Sequence, residues 1–304
     1  EVREIIEKVG ILIDVKPNKK EIFKYLDKAD VYLASAAYKI DQEFIDYAVN
    51  LKLVASPSTG VDHMDIDYIK KKKIVLYEIS KEYNLINKFT ATSKLAFGLM
   101  LSLLRNIIPA SETAKMGFWK REIYQGSQLY GKTLGILGLG RLGKISARIG
   151  QGFGMKVIAF DTVVKKIQNV KMVTFEELIK HSDIITIHLH LNENTTNLIG
   201  LNEFKQMKNS SILINTSRGK IINEDSLLFS LKNKFIAGAG LDVIDGEWLN
   251  DNDRKNHPLI KYSRNNSNLL IVPHIGGATT ESIKWARIFI AKKVKKFLER
   301  KKND

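Results

Sequence analysis

The sequence contains no cysteine, and this absence excludes disulfide bonds, thiolate metal sites and thiol nucleophiles. A reducing cytoplasm is the location expected for such a chain. No uninterrupted apolar run reaches the ~18 residues that a membrane-spanning helix needs. Internal repeats and low-complexity segments are also missing. We therefore predict a cytoplasmic globular protein with neither a metal site nor a membrane partner.

Acidic residues are scarce relative to basic ones, since 48 Lys and Arg stand against 33 Asp and Glu and give a net charge of +15. Such an excess is typical either of proteins that bind nucleic acid or acidic membranes or of chains with many solvated lysines. The lysine-rich runs at 70–73 and 292–296 fall on predicted helix ends and faces, and no aromatic residues interleave with them. We therefore favour solvated lysines and predict no nucleic-acid partner, although a positive field would attract an anionic substrate.

Strand-like and helical patterns alternate along almost the whole chain, which predicts parallel sheets with crossover helices. With 304 residues, 44% of them hydrophobic, the chain is long enough for two domains with sizeable cores. The predicted strands are 10–15, 31–34, 51–55, 74–76, 134–137, 157–160, 184–187, 212–214, 235–239 and 269–272. The predicted helices include 2–9, 19–28, 42–50, 88–108, 141–153, 176–181, 224–232 and 279–300, and 250–268 is predicted to be a surface loop.

The most specific pattern is Gly-x-Gly-x-x-Gly, formed by Gly138, Gly140 and Gly143 between an apolar run and a helical pattern. Gly138 would allow the tight turn out of the strand, Gly140 would let a pyrophosphate approach the backbone, and Gly143 would let the helix pack closely. The N–H groups and the positive dipole end of that helix would face the phosphates. The pattern therefore predicts a dinucleotide-binding domain.

Asp161 follows the next predicted strand, 18 residues after Gly143 and near the ~20 expected for an acidic residue that binds ribose. Its carboxylate could accept hydrogen bonds from both hydroxyls of the adenosine ribose, and it would repel a 2′-phosphate. Lys165 and Lys166 are close enough in sequence to soften that repulsion. The expected cofactor is therefore NAD rather than NADP.

Three polar residues follow later strands of the pattern: Arg218, Glu247 and His274. Ligands of open α/β sheets bind at the carboxyl ends of the strands, so these side chains are expected to share a site. An arginine can clamp a carboxylate, a histidine can exchange a hydroxyl proton, and a glutamate can orient that histidine and stabilise its charged form. The three residue types together indicate hydride chemistry on a hydroxy acid.

The chain resembles the D-isomer-specific 2-hydroxyacid dehydrogenase family, which includes D-3-phosphoglycerate, glycerate and formate dehydrogenases. The segments that carry the resemblance are 58–65, 131–143, 182–189, 215–219, 240–243 and 273–279. The resemblance implies an α/β fold with two Rossmann-like domains, in which a doubly wound parallel-sheet NAD domain is inserted in a smaller flavodoxin-like substrate domain. Residues 1–88 and 275–304 would form the substrate domain and 89–274 the NAD domain, with the helices 88–108 and 279–300 as hinges.

The numbered sequence begins with Glu1, and a helical pattern precedes its first predicted strand. An α/β domain usually opens on a strand. We therefore expect an N-terminal strand of undetermined length to precede the sequence.

The resemblance also implies a role for each site residue. Arg218 matches the arginine that binds the substrate carboxylate and polarises its carbonyl, and Glu247 and His274 match the catalytic acid–base pair. Matched to cofactor contacts are Gly138, Gly140, Arg141, Leu142, Gly143, Asp161, His188, Thr195, Thr216, Ser217, Asp242 and Gly276. Matched to substrate binding are Ser58, Thr59, Gly60, Arg218 and His274. Trp248 departs from the pattern, because the family commonly has proline after the glutamate.

The implied activity is NAD-dependent hydride transfer at C2 of a small anionic D-2-hydroxy or 2-oxo acid, with D-3-phosphoglycerate as one candidate. The apolar segment 88–125, with Phe118 and Trp119, predicts a homodimer. An NAD-sensing corepressor-like binding protein of the same fold is the alternative, since such proteins can retain the same arginine, glutamate and histidine. The sequence leaves open which acid is the substrate, in which direction the reaction runs, and whether the basic surface has a partner.

Overall fold

The computed structural model describes residues 1–35, 37–164, 166–247 and 249–300, so Lys165 and Trp248 lie outside the described residues. The chain divides into two compact units. Unit 1 combines 1–89 with the segment that begins at 279, and unit 2 is Thr90–Ala278. The boundaries expected from the sequence lay after 88 and after 274.

The regular elements alternate as an α/β fold requires. The strands are β1 Val31–Leu33, β2 Leu53–Ala55, β3 Val75–Tyr77, β4 Thr133–Leu137, β5 Lys156–Phe160, β6 Lys171–Met172, β7 Ile184–Ile187, β8 Ile212–Asn215, β9 Gly238–Leu241 and β10 Leu269–Ile271. The helices are α1 Val2–Ile6, α2 Lys19–Phe23, α3 Gln42–Tyr47, α4 Ile66–Lys71, α5 Tyr83–Ile86, α6 Ala91–Leu104, α7 Ile107–Lys115, α8 Arg141–Gly152, α9 Phe175–His181, α10 Leu201–Gln206, α11 Glu224–Lys232, α12 Asp251–Lys255, α13 Pro258–Ser263 and α14 Thr280–Arg300. The short 3-10 turns in the described part of the chain are Leu26–Lys28, Arg121–Tyr124 and Gly219–Ile221.

Unit 2 is built on a seven-stranded parallel sheet in the order β6-β5-β4-β7-β8-β9-β10. Helices cover both faces, which explains why every residue of β7 and β8 is buried. One core includes Leu178, Phe204 and Leu227. The other includes Phe97 and Met100 of α6. The strand order reverses where β4 lies beside β7, and ligands of doubly wound folds bind at such a point, beyond the carboxyl ends of the strands.

Unit 1 has a three-stranded parallel sheet in the order β1-β2-β3. The central strand, β2, is completely buried. Val54 belongs to a core formed with α2, α3 and α4, whereas Leu53 and Ala55 belong to a core that includes Ile6 of α1 and Ile290 of α14. The first and last described helices of the chain therefore contribute to one hydrophobic core.

The predicted single helix over 88–108 is wrong, because α6 ends at Leu104 and α7 begins at Ile107. Asn106 between them has φ +52°, and this left-handed conformation cannot continue a right-handed helix. Pro109 lies in the first turn of α7. A proline is tolerated there because the first N–H groups of a helix have no intrahelical acceptor.

The predicted strand over 10–15 is also wrong. Ile11 is 92% exposed and Ile13 is 50% exposed, and the segment pairs with none of the described strands. An apolar run forms a strand only where a neighbouring strand accepts and donates its hydrogen bonds.

The predicted loop over 250–268 contains two short helices instead. Asn250 caps α12, since its side-chain oxygen accepts the N–H groups of Asn252 and Asp253. Pro258 occupies the first position of α13, and Leu259 is fully buried. The polar composition concealed these helices because each is short and only one side of α13 reaches the core.

No single described helix is long and apolar enough to cross a membrane. One bent pair, Tyr83–Leu104 with Ile107–Lys115, is long and apolar enough for a membrane span by length and composition only. Its α6 portion contributes Phe97 and Met100 to a hydrophobic core of unit 2. Among the described residues, no group of three or more His, Cys, Asp or Glu side chains could hold a metal ion.

Candidate active site

The glycine turn after β4 is tightly packed at two of its glycines and open at the third. Gly138 has φ +90°, a conformation that glycine adopts without a steric penalty. A Cβ atom on Gly143 would lie 2.1 Å from the carbonyl oxygen of Gly138, so α8 can approach the turn only because residue 143 lacks a side chain. A Cβ atom on Gly140 would meet no described atom within 4 Å. The backbone is therefore accessible at Gly140.

The first turn of α8 begins directly at this open backbone. No side chain caps its N-terminus, which leaves the first N–H groups without the acceptor that a Ser, Thr or Asp at position 140 would supply. Arg141 is the first residue of the helix, and burial lowers the pKa of its guanidinium group. An arginine still carries its charge at neutral pH. Uncapped N–H groups and an arginine at one helix start suit a phosphate.

Asp161 follows β5 and anchors the glycine turn from the side. Its Oδ2 atom accepts the N–H of Leu139 at 2.6 Å, and its Oδ1 atom accepts the N–H groups of Val163 and Val164 at 2.8 Å. The residue also lines a cavity of about 520 Å³ together with Phe160, Val164 and Thr174. The sequence suggested a ribose-binding role for Asp161 but gave no sign that it also shapes the turn.

His188 follows β7, but its ring lies in the interior of unit 2. The Nε2 atom is 2.9 Å from Oγ of Ser146 and 3.2 Å from Oγ1 of Thr186. Burial lowers the pKa of His188 to about 4, so the ring is neutral at pH 7. The family resemblance implied a cofactor contact for this residue, whereas its observed side-chain contacts are with Ser146 of α8 and Thr186 of β7.

Thr195 lies in a turn after His188 and is half-buried. Its hydroxyl donates to the carbonyl of His190 at 2.7 Å and accepts the N–H of Asn192 at 2.8 Å. These contacts stabilise the turn itself.

The turn after β8 is shaped by Asn215, whose role was not predicted from the sequence. Asn215 is fully buried. Its amide donates to the carbonyl of Arg218 at 2.9 Å, and its side-chain oxygen accepts the N–H of Ser217 at 3.0 Å. Ser217 in turn donates its hydroxyl to the carbonyl of Ile187 at 2.8 Å, which ties the turn to β7. Arg218 is thus presented at the carboxyl end of the sheet by a fixed backbone.

The turn after β10 is held by Asp242, which is 1% exposed. Its two oxygens accept the N–H groups of Ile275 at 2.6 Å and Gly276 at 2.9 Å. Burial raises the pKa of Asp242, and these two hydrogen bonds oppose that change. A Cβ atom on Gly276 would lie 2.6 Å from the carboxylate, so this close approach requires glycine. The residue before this pair is His274.

His274 and Glu247 form the central contact of the site. The Nδ1 atom of His274 lies 2.5 Å from Oε2 of Glu247, and the glutamate side chain is 18% exposed. This hydrogen bond raises the pKa of His274, whereas burial and the positive charge of Arg218 lower it. With Nδ1 engaged by the carboxylate, Nε2 is the ring atom that can exchange a proton with a substrate.

Ser58, Thr59 and Gly60 follow β2 and belong to unit 1, whereas all the other predicted site residues belong to unit 2. The N–H of Ser58 donates to Oγ of Ser56 at 3.2 Å, and Ser56 is fully buried. This contact shapes the loop that carries the three residues.

The described residues of unit 2 fit a bound dinucleotide. Gly140 leaves space at the start of α8, and Asp161 lines a cavity. The hydroxyl Oγ1 of Thr216, at the carboxyl end of β8, is buried and has no hydrogen-bond partner among the described residues. A buried polar atom without a partner is costly, so a ligand that supplies one would be stabilised at this position.

Comparisons with known proteins agree with this geometry. The family model "D-isomer specific 2-hydroxyacid dehydrogenase, NAD binding domain" matches residues 97–276. Glyoxylate reductase of Thermococcus litoralis is 34% identical over 287 residues, which cover 91% of this chain and 82% of that protein. D-3-phosphoglycerate dehydrogenase of Methanocaldococcus jannaschii is 33% identical over 301 residues, which cover 97% of this chain but only 55% of that protein. The chain thus spans about half the length of the latter relative.

Solved structures give the same result. D-lactate dehydrogenase from Aquifex aeolicus, complexed with NAD and lactic acid, has a TM-score of 0.84 and 28% identity, with 98% of this chain and 91% of that chain covered. NAD-dependent formate dehydrogenase from Staphylococcus aureus, in complex with NAD, has a TM-score of 0.81 and 28% identity, with 99% of this chain and 88% of that chain covered. Both structures resemble this chain over nearly its whole length.

Proposed function

Because the chain belongs to the D-isomer-specific 2-hydroxyacid dehydrogenase family, we propose that it transfers a hydride reversibly between NAD(H) and C2 of a small D-2-hydroxy acid. The observation that carries the proposal is the 2.5 Å contact between His274 and Glu247, at the sheet edge where the turn that carries Arg218 also lies. When bound, NADH supplies the hydride and NAD accepts it. Nothing in the described part of the chain favours the corepressor-like alternative.

The proton chemistry follows from the charges around His274. In the reduction of a 2-oxo acid, His274 donates the Nε2 proton to the oxo oxygen as C2 accepts the hydride, and the product is the hydroxy acid. Glu247 stabilises the imidazolium before the transfer. Arg218 binds the substrate carboxylate through its planar fork and polarises the oxo group. In oxidation the same groups act in reverse, and His274 accepts the hydroxyl proton.

Cofactor binding is assigned to the glycine turn, the start of α8 and Asp161. Gly138, Gly140 and Gly143, with Arg141, would hold the pyrophosphate. Asp161 would hold the ribose, and its negative charge would oppose a 2′-phosphate. We therefore expect a kcat/KM with NADH well above that with NADPH, and comparable values for the two would contradict this assignment.

The substrate domain is assigned to unit 1, whose loop at Ser58, Thr59 and Gly60 would bind the substrate carboxylate through backbone N–H groups. Glyoxylate, hydroxypyruvate and 3-phosphohydroxypyruvate are the substrates to test first. The reason is that relatives of this chain are named glyoxylate reductase, hydroxypyruvate reductase and D-3-phosphoglycerate dehydrogenase. D-3-phosphoglycerate would be the hydroxy acid that corresponds to 3-phosphohydroxypyruvate.

A panel of 2-oxo acids, with and without a phosphate group, at fixed NADH tests the proposed function. Turnover of at least one acid, followed by loss of NADH absorbance, is expected. NADH binding without turnover of any acid would contradict it. The acid with the highest kcat/KM identifies the substrate class.

The segment around α7 supports a homodimer. Trp119 is 89% exposed, and Ile107, Met116, Phe118 and Ile123 are exposed as well. Several exposed large apolar side chains within one short segment are typical of a protein interface. Sedimentation is expected to give about 69 kDa, twice the chain mass of 34.5 kDa. A monomer at micromolar concentration would contradict the dimer. We further propose a cytoplasmic location, where NAD(H) is available to the enzyme.

A further inference from the structure

The turn Asp245–Glu247 is held by hydrogen bonds at its first residue, Asp245. The N–H of Asp245 donates to Oε1 of Glu224 at 2.8 Å. The carbonyl of Asp245 lies 3.3 Å from Nε2 of His257, and the same Nε2 lies 3.1 Å from Oε2 of Glu224. Both peptide groups of Asp245 are therefore tied to one buried pair of side chains, two residues before Glu247.

The two side chains of this buried pair lie at the N-terminal ends of two well-packed helices. Glu224 is the first residue of α11 and His257 precedes the first residue of α13, and their side chains are 17% and 8% exposed. Leu227 and Leu259, one in each helix, are fully buried in the same core. The Nδ1 atom of His257 is buried without a hydrogen-bond partner among the described residues, so the contacts favour a proton on Nε2. That proton is shared between the carboxylate and the carbonyl.

Two further contacts confine the turn. A Cβ atom on Gly219 would lie 2.1 Å from the carbonyl carbon of Ile244 and 2.4 Å from the nitrogen of Asp245, so the turn packs directly on the residue after Arg218. On the other flank, the guanidinium of Arg254 donates to the carbonyl of Glu247 at 3.2 Å. A shift of the turn is therefore transmitted both to the arginine and to the glutamate of the site.

We infer that Glu224 and His257 are positioning residues, which hold the Asp245–Glu247 turn so that Glu247 stays in hydrogen-bonding contact with His274. The inference rests on the proposed function, because it assigns these residues to the proton-transfer pair. Neither residue contacts His274. Their effect is exerted through the position of Glu247, and displacements of about 1 Å in such pairs can cost up to roughly 100-fold in rate.

The positioning effect of Glu224 and His257 should be detectable in the pKa of His274. The charged groups that act on His274 are Glu247, Asp242 and Arg218, and the hydrogen bond to Glu247 has the largest effect. If the turn moves, that bond lengthens, and the effect by which Glu247 raises the pKa of His274 weakens. The pKa of His274 should then fall, which a general loss of stability would not produce.

The test compares His257→Leu with His257→Gln. Leucine keeps the volume but removes the donor, whereas the Gln amide can place a donor near the position of Nε2. His181→Leu is the matched control, because His181 is exposed at the end of α9. The measurements are the NMR titration of His274 in the protein without substrate, kcat for reduction, and the Kd of NADH.

We expect His257→Leu to lower the His274 pKa and to reduce kcat roughly tenfold or more, with the Kd of NADH unchanged. His257→Gln should restore both, and His181→Leu should change neither. A folded His257→Leu protein with wild-type pKa and kcat would overturn the inference. If His257→Leu does not fold, Glu224→Gln is measured in the same way. Its control is Glu203→Gln, because Glu203 also accepts a backbone N–H at the start of a helix, that of Gly200 at 2.8 Å before α10. If the wild-type protein shows no turnover, the proposed function is refuted but the positioning role is not. The NMR titration of His274 needs no turnover and decides the positioning role by itself.

Discussion

The buried carboxylate of Asp242 accepts the backbone N–H of Gly276 at 2.9 Å. Its second oxygen accepts the N–H of Ile275 at 2.6 Å, and the carbonyl of Asp242 accepts the N–H of His274 at 2.9 Å. Three consecutive residues after β10 are thus held by one residue after β9. This arrangement fixes the backbone of His274, which has φ +52°, and so fixes the position from which its side chain extends toward Glu247.

Replacement of Asp242 by Asn should therefore affect both stability and rate. The amide nitrogen of Asn would face a backbone N–H, so one hydrogen bond would be lost, at a cost of about 1–3 kcal/mol in the free energy of unfolding. Asp183→Asn is a matched control, since Asp183 precedes β7 at the other end of the sheet and accepts the N–H of Thr133 at 2.7 Å. Urea unfolding should show a loss for both variants, but kcat should fall only for Asp242→Asn. An unchanged kcat in Asp242→Asn would contradict this role.

The glycine turn offers a pair of substitutions that separate folding from cofactor binding. Gly140→Ala should leave the free energy of unfolding unchanged, because the new Cβ atom meets no described atom within 4 Å, but it should raise the Kd of NADH. Gly143→Ala should lower the free energy of unfolding by about 1–3 kcal/mol or more, because its Cβ atom would overlap the carbonyl of Gly138. Thermal melting and NADH fluorescence titration measure the two effects. Tight NADH binding by Gly140→Ala would show that the pyrophosphate does not lie there.

His188 should make the protein less stable in mild acid. Its pKa is about 4 in the folded chain and 6.5 in the unfolded one, so the unfolded chain takes up the proton first as the pH falls. With respect to this group, the free energy of unfolding is at its full value above pH 6.5 and falls between pH 6.5 and 4. The loss is about 2 kcal/mol at pH 5. Urea unfolding at pH 7 and pH 5 should show a smaller difference for His188→Gln than for the wild type. If the free energy of unfolding changes equally in both proteins between pH 7 and pH 5, the ring of His188 is not buried in its neutral form.

The sequence predicted those features that depend on local pattern. The glycine turn, Asp161 and the strands of unit 2 follow from periodicity and spacing, and Arg218, Glu247 and His274 follow from strand ends together with the family resemblance. Asn215, Glu224 and the inward orientation of His188 could not be predicted in this way. Their roles depend on partners that are distant in sequence, such as Asp245 for Glu224 and Ser146 for His188. The prediction of a strand over 10–15 was wrong for the same reason, since a strand requires a neighbouring strand that its own residues do not specify.

His274 should be indispensable for turnover but not for cofactor binding. His274→Ala removes the proton donor, and general acid–base catalysis contributes ~10²–10⁴-fold, so kcat should fall by that factor. The Kd of NADH should change little, because the glycine turn and Asp161 are intact. A variant that keeps more than about a tenth of wild-type kcat lies outside that range and would contradict the assignment.

We expect the hydrogen bond between Glu247 and His274 to control the proton donated in reduction. The pH dependence of kcat/KM for the best 2-oxo acid, in wild type and Glu247→Gln, tests it most directly. Reduction requires protonated His274, so the rate falls as the pH rises through the His274 pKa, which Glu247 raises. In Glu247→Gln the pKa should be lower, and the fall in rate should move to lower pH, while Glu203→Gln keeps the wild-type profile. A fall at the same or a higher pH in Glu247→Gln would contradict the account.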